Sequence, residues 1–368
     1  MTAPALTSAD EWAARLATIG LVAPGEPTTI DRSTAEAVCA TAAHQGLACL
    51  LGAAVERGTV RADEATTEVI SAAWAQRLDW CVRLDSMLLA VVSRLTAADI
   101  PVRVLKGVAV ATLDEPDPSW RSYGDIDVLV PADRLLAAID ALAGLGLQPA
   151  AAPVGRHWLA RHGKGITLTH PSGVQVDLHR LLAPGPFGSR VRMACAFERG
   201  RTFEVGGTTL TAMADVHRFL HACYHAVLGR VRGPRHRRDV LLLARTVRPA
   251  EVAAELADGW SAAVVHAALT WAGDAATLPA EWAQWLAVDP DATDSPHRAD
   301  RELLAAYSGS FGSLARAELR ALRGPLAKAR YAAALVWPSR GNLAARGQRR
   351  RDHLVHLLRT ALPHRSAA

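Results

Sequence analysis

The chain has 368 residues, half of them apolar, enough for two or three domains around a sizeable core. Its five Cys are scattered and odd in number, which argues against a disulfide framework, and no apolar run approaches the roughly 18–20 residues that span a bilayer. The formal charge of +5 permits a polyanionic partner without demanding one. Ala, Leu, Val and Arg dominate, so a mostly helical protein with one small sheet is expected. The first residues lack a basic segment leading into an apolar one, so no secretion signal is read and a cytoplasmic protein is expected.

In chain order, residues 1–98 read as an N-terminal helical region. Apolar residues recur at helical spacing over 35–55 and 65–95, with Trp74, Leu78, Cys81, Leu84, Leu88 and Val92 as a buried stripe. The Pro24–Pro27 segment and the region of Gly58 break it. Residues 99–212 change character. Ile100–Leu105 is a strand-type run, ended by Lys106-Gly107, and a helix resumes over 108–113. The loop 114–123 leads to a strand over Asp125–Val130, then a helix over 132–142 with Pro131 near its start. A later strand, 173–179, alternates cleanly: Val174, Val176 and Leu178 on one side, Gln175, Asp177 and His179 on the other. Residues 213–368 are helical again. Asp215 is expected to cap a helix over 216–228, and a further helix is expected over 239–245. A Pro/Asp-rich linker follows near 289–296, and the tail is basic.

The carboxylates carry the chemistry. Asp125 and Asp127 are two apart in one strand and so share a face. If the strand of Asp177 lies beside theirs, three carboxylates converge, and they cannot all stay ionised without cations. Oxygen ligands suit Mg²⁺ or Mn²⁺, and a two-ion site supports in-line phosphoryl transfer. On spacing alone the carboxylates could equally border a turn and a solvated strand. The Lys106-Gly107 turn offers a point charge and a backbone open to phosphate.

The order of an LKG turn, a helix, an R-S-x-G-D-I-D strand and a V-D-L-H strand resembles the nucleotidyltransferase superfamily with the DNA-polymerase-β-like fold. It is most similar to an uncharacterised bacterial nucleotidyltransferase family within it. The helical segment before the turn, the H-x₃-H helix, the R-D-x-x-x-L helix and the W-P-S tail share that resemblance. It implies an α+β fold, a small mixed β-sheet nucleotidyltransferase core at 99–212 flanked by N- and C-terminal helical regions. It also implies transfer of an NMP from an NTP such as ATP to an acceptor hydroxyl, with a divalent cation, Mg²⁺ or Mn²⁺. Asp125, Asp127 and Asp177 would be catalytic and hold metal. Lys106, Gly107, Arg121 and Ser122 would meet the nucleotide phosphates. One departure is that the superfamily's usual Gly-Ser turn is Gly107-Val108 here, which leaves Ser122 as the hydroxyl candidate.

Around these, His179 shares the face of Asp177 and is a candidate hydrogen-bond partner for a carboxylate. His221 and His225 are expected at the cleft. His217, His221 and His225 have zinc-compatible spacing but no completing ligand. Asp239 reads as a helix cap or a partner for an Arg or the nucleotide. The basic loop 230–238 and the run 346–351 read as solvated surface or as a phosphate-binding patch. The acceptor stays open among a small molecule, a peptide, a protein and an RNA end, with DNA and membranes disfavoured. The alternative reading is a non-catalytic nucleotide-binding or toxin–antitoxin-type protein.

Overall fold

The computed structural model describes residues 8–361 apart from 24–25, 151–155, 230–231, 274–276, 289–294, 306, 308–310, 323, 339–342, 344–346 and 348. Pro24, Arg230, Arg346 and most of the expected linker near 289–296 therefore lie outside the described residues.

Three helices open the chain, α1 (Ala9–Leu16), α2 (Arg32–His44) and α3 (Ala48–Glu56), beside a parallel pair of two-residue strands, β1 (Thr28–Thr29) and β2 (Val60–Arg61). Then comes α4 (Glu64–Ala97), 34 residues without a break. Asp63 caps it by accepting from Thr66 N at 2.7 Å. Its first half packs Ile70 against the N-terminal helices, while Leu84, Leu88, Val91 and Leu95 pack on the sheet. One helix thereby serves two cores, because its apolar stripe keeps facing inward along its length.

The strands β3 (Arg103–Val104), β4 (Ile126–Leu129), β5 (Gln148–Pro149), β6 (Gly165–Thr169), β7 (Gln175–His179), β8 (Gly200–Val205) and β9 (Thr208–Met213) form a seven-stranded sheet in the order β5-β6-β7-β4-β3-β9-β8. It is mixed: β4 with β7 and β3 with β9 are parallel, and the other pairs antiparallel. The connections hold α5 (Gly107–Leu113), α6 (Leu135–Ala143), α7 (Arg156–His162), α8 (Gly185–Ser189) and α9 (Cys195–Glu198). The remainder is helical: α10 (Asp215–Leu228), α11 (Pro234–Leu243), α12 (Pro249–Glu255), α13 (Ala262–Ala272), α14 (Ala280–Ala287), α15 (Ser295–Ala305), α16 (Phe311–Ala321), α17 (Pro325–Val336) and a last helix, Arg350–Ala361. The fold is thus α+β, with one mixed sheet among helices, as expected. Among the described residues no helix is long and apolar enough to cross a membrane.

Three expectations need correction. Asp125 precedes its strand, which starts at Ile126. Asp215 is the first residue of α10, with Ala214 at the cap position, and its carboxylate pairs with Arg201 and Arg218. The helix expected from Asp239 begins at Pro234, because proline suits a first helical turn, where N–H groups have no intrahelical acceptor.

That earlier start also changes the meaning of the basic loop. Arg235–Arg238 are helical, and Arg238 turns inward, 1 % exposed. Its guanidinium meets Glu115 at 2.8 and 2.5 Å and donates to the carbonyl of Ile19 at 2.7 Å. One side chain so ties α11 to the segment after α5 and to the N-terminal region. Breaking a buried pair leaves an uncompensated charge. Arg238→Leu is expected to destabilise the protein by about 3–5 kcal/mol, read as a lower urea midpoint. A shift within error would show the pair to be replaceable.

Candidate active site

The chain leaves β3 and turns at Lys106 and Gly107 into α5. Both turn residues have positive φ, 36° and 35°. A non-glycine residue is held there only where its surroundings impose it, at a cost of order 1–3 kcal/mol. The Tyr123 ring packs against Gly107, and the Tyr123 hydroxyl donates to Asp85 on α4 at 2.6 Å. The turn carries the Lys106 ammonium to 2.9 Å from Asp127 Oδ1.

The partners of Asp127 follow from register. β4 and β7 pair with Asp127 opposite Asp177, and β7 and β6 pair with Asp177 opposite Thr167. Directly paired residues project on one face. Thr167 Oγ1 donates to Asp177 Oδ1 at 2.5 Å, and His179 Nε2 lies 2.8 Å from Asp127 Oδ1. Asp127, Asp177 and His179 present ligand atoms within 4.8 Å of one another. Asp125 stands outside that trio but feels it. Burial first, then the charges of Asp127 and Asp177, push its carboxyl up. For Asp127 burial also pushes upward, but Lys106 and His179 outweigh it and hold the carboxyl well below the usual carboxylate range.

The donor set suits a hard divalent cation. It is anionic and oxygen-rich, and the Asp125 carboxyl is raised by burial first and then by repulsion from Asp127 and Asp177, which Lys106 offsets only in part. Among the described residues only Asp127 of the three carboxylates is ion-paired.

The other expected residues divide. Gly107 and Lys106 stand at the acids. His221 lies 2 % exposed in a cavity that Lys106, His225 and His236 also line, and its Nε2 has no hydrogen-bond partner. Arg121 and Asp239 are buried and paired with each other, so Asp239 is an ion-pair partner in mid-helix rather than a cap. The Arg121 charge is neutralised inside the protein instead of being presented to a phosphate. Ser122 Oγ donates to the Gly46 carbonyl at 3.3 Å, toward the α2–α3 turn. His217 turns away to Glu255, which it shares with Arg199, and Cys195 completes a second compact group there. Arg199 supplies the counter-charge to Glu255 and His217 a hydrogen bond, which closes that group as a polar network.

Sequence reasoning missed Lys164, Arg235 and Asp85. Lys164 sits just before β6. Burial and then Lys106 push its ammonium pKa down, while Asp127 and Asp177 push back. Its signal was the Gly-Lys-Gly of residues 163–165: a Cβ on Gly165 would meet the Leu178 carbonyl oxygen at 2.3 Å, so strand pairing excludes any side chain there. Arg235 is half-buried and feels the charges of Asp239, Asp125 and Asp127. Asp85 had no signal beyond being an acid inside an apolar helix stripe.

A mixed sheet that presents facing carboxylates next to a Lys-Gly turn belongs to the nucleotidyltransferase class. Residues 31–270 match the family described as uncharacterised nucleotidyltransferase, and the chain belongs to that family. Among solved structures, it is similar to ANT(2")-Ia in complex with adenylyl-2"-tobramycin, with 13 % identity, a TM-score of 0.36 and coverage of 47 % of this chain and 94 % of that one. An antigenic nucleotidyltransferase-like protein from Paracoccidioides brasiliensis gives 15 % identity and a TM-score of 0.31 over 47 % and 85 % of the two chains. The lincosamide antibiotic adenylyltransferase LnuA, lincomycin-bound, gives 14 % and 0.27 over 36 % and 82 %. No curated protein matches the chain.

The raised Asp125 carboxyl has a consequence for stability. A raised acid favours its protonated form in the fold, so its contribution is favourable at low pH and is lost as pH rises through the folded value. In EDTA near neutral pH, Asp125→Asn is expected to stabilise the protein by about 0.5–2 kcal/mol. The gain should vanish below about pH 4, where the carboxyl is protonated in both states. Thermal melts across pH test this, and a destabilised variant at neutral pH would refute the repulsion.

Proposed function

We propose that the protein transfers a nucleoside monophosphate from a nucleoside triphosphate to an acceptor hydroxyl, releasing pyrophosphate. The observation that carries the reading is the pairing of Asp127 with Asp177 across β4 and β7, with the Lys106 ammonium against it, in a chain of this family. Asp125, Asp127 and Asp177 would hold divalent cation, Mg²⁺ or Mn²⁺ by donor chemistry, which supplies Lewis-acid charge to phosphoryl oxygens when bound.

The protein's own residues do the rest. Lys106 is a flexible point charge and can pass from Asp127 to a phosphate oxygen as the nucleotide arrives. His179 keeps Asp127 oriented through its ring Nε2–H. Asp177, half-buried and steadied by Thr167, is the carboxylate that accepts the proton of the attacking hydroxyl. Gly124 precedes the acidic pair with an ordinary backbone and nothing within 4 Å of where its Cβ would stand. The fold has no steric need of glycine there, and the open space suits close approach of the triphosphate.

Asp127→Asn and Asp177→Asn are expected to cut pyrophosphate release at least a thousandfold, about 4 kcal/mol; Asp177→Asn should melt close to the parent, while Asp127→Asn, which takes the carboxylate from a buried pair with Lys106, should melt lower but stay folded. Transfer retained by both folded variants would sink the assignment. Nucleotide binding without turnover in any acceptor mixture would favour the non-catalytic binder. A finer prediction concerns Gly124→Ala: unchanged melting, but a KM for the triphosphate raised several-fold. An unchanged KM would remove the phosphates from that spot.

A further inference from the structure

We propose that the acceptor is anionic and lies in the groove between the β6–β7 end of the sheet and helices α16 and α17. This rests on the transfer reading above and names the acceptor's chemical class.

The groove holds about 1030 Å³ and runs from α7 past Lys164 and Arg180 to Glu318 on α16 and Tyr331 on α17. That is the upper end of the roughly 300–1,000 Å³ of a drug-sized pocket, so the groove admits an occupant of that size. The groove's floor borders the strand that carries Asp177. Arg180 directly follows the end of β7, its backbone N–H donates to the Lys164 carbonyl at 2.9 Å, and Gly165 of the groove pairs with His179, two residues from Asp177. Lys164 lines the groove and also feels the charges of Asp127 and Asp177. A ligand lying along the groove can therefore bring a hydroxyl to Asp177.

Charge selects the ligand. The charged lining is Arg161, Lys164, Arg180 and Arg330 against the single acid Glu318. A polycationic acceptor would be repelled there, while a carboxylate or phosphate is drawn in. Two buried polar atoms also wait for partners: Arg180 Nε and Glu318 Oε2 have none among the described residues. Buried polar groups are nearly always paired, and a ligand carrying both an acceptor and a hydroxyl donor would satisfy the two. The walls supply an apolar body contact. His162 stacks edge-on to Tyr331 with ring centroids 5.1 Å apart and lies 5.8 Å from Trp158, and Trp337 is exposed nearby.

The test uses the full chain and the double variant R161E/R330E. Both arginines are exposed, so the fold should survive, which melting checks. The probes are para-(hydroxymethyl)benzoate and its cationic counterpart para-(aminomethyl)benzyl alcohol. Calorimetric titration is run with the nucleotide site saturated by Mg²⁺ and a non-hydrolysable ATP analogue, and repeated in Asp127→Asn without nucleotide. The benzoate should bind the parent at least tenfold more tightly than the cation, and lose at least tenfold in the double variant. Equal affinities of parent and variant, or preference for the cation, would overturn the groove assignment. Failure of the ATP analogue to bind, with the benzoate titration in Asp127→Asn intact, would instead overturn the transfer reading and leave the anion-selective groove standing.

Discussion

Two carboxylates face each other across a parallel strand pair, and much of the molecule answers that placement. Like charges directly opposite on a sheet are unfavourable. Asp127 and Asp177 stay there because the other face leaves no choice. Ile126, Val128, Val176 and Leu178 are at most 5 % exposed in the sheet core. Slipping β4 by one residue against β7 would exchange faces, burying the acids and exposing valine. The hydrophobic pattern that folds the sheet is therefore the same pattern that aims the acids, and no separate device is needed to hold them together.

The repulsion so created is balanced from three directions. From the sheet itself comes His179, on the same strand as Asp177. From the β3–α5 turn comes Lys106, whose left-handed backbone is braced by Tyr123 and, through it, by Asp85 on α4. From α11 comes Arg235, packed so closely on the α2–α3 turn that a Cβ on Gly46 would meet its Cδ at 2.8 Å. Buried ion pairs then lock the scaffold behind these groups: Arg121 with Asp239, Arg218 with Asp114, and Arg238 with Glu115. N-terminal helices, sheet and C-terminal helices thus converge on the segment that leads into β4.

What was legible in the sequence was local. Period-two alternation exposed β7 and the shared face of Asp177 and His179, and the Asp-Ile-Asp spacing exposed the acidic pair. What was illegible was long-range or directional. Arg238 and Glu115 are 123 residues apart, and no periodicity links them. Arg235, Arg237 and Arg238 read as solvated surface because a run of charge usually is, yet here they start a helix whose inner face pairs Glu115 with Arg238 and the helix's own Asp239 with Arg121. The three histidines at four-residue spacing do not share one destination. Four residues overshoot a helical turn by about 40°, so two such steps rotate the third ring well away from the first. His217 accordingly meets Glu255, while His221 and His225 line the cavity beside Lys106.

Those imidazoles bear on the charge of the site. His221 and His225 are pushed far below the usual histidine range by burial and then by Lys106, and His236 is pushed down to about 4, again chiefly by burial. Protonating any of them would set a second cation beside Lys106 in a cavity with little water, so they remain neutral across the physiological range. The balance at the acids is then set by three carboxylates against Lys106, Lys164 and Arg235, with no histidine titrating in between. A polyanionic substrate arriving with its own cation therefore meets imidazoles that add no charge of their own between pH 6 and pH 8, because burial has moved their titration below that interval.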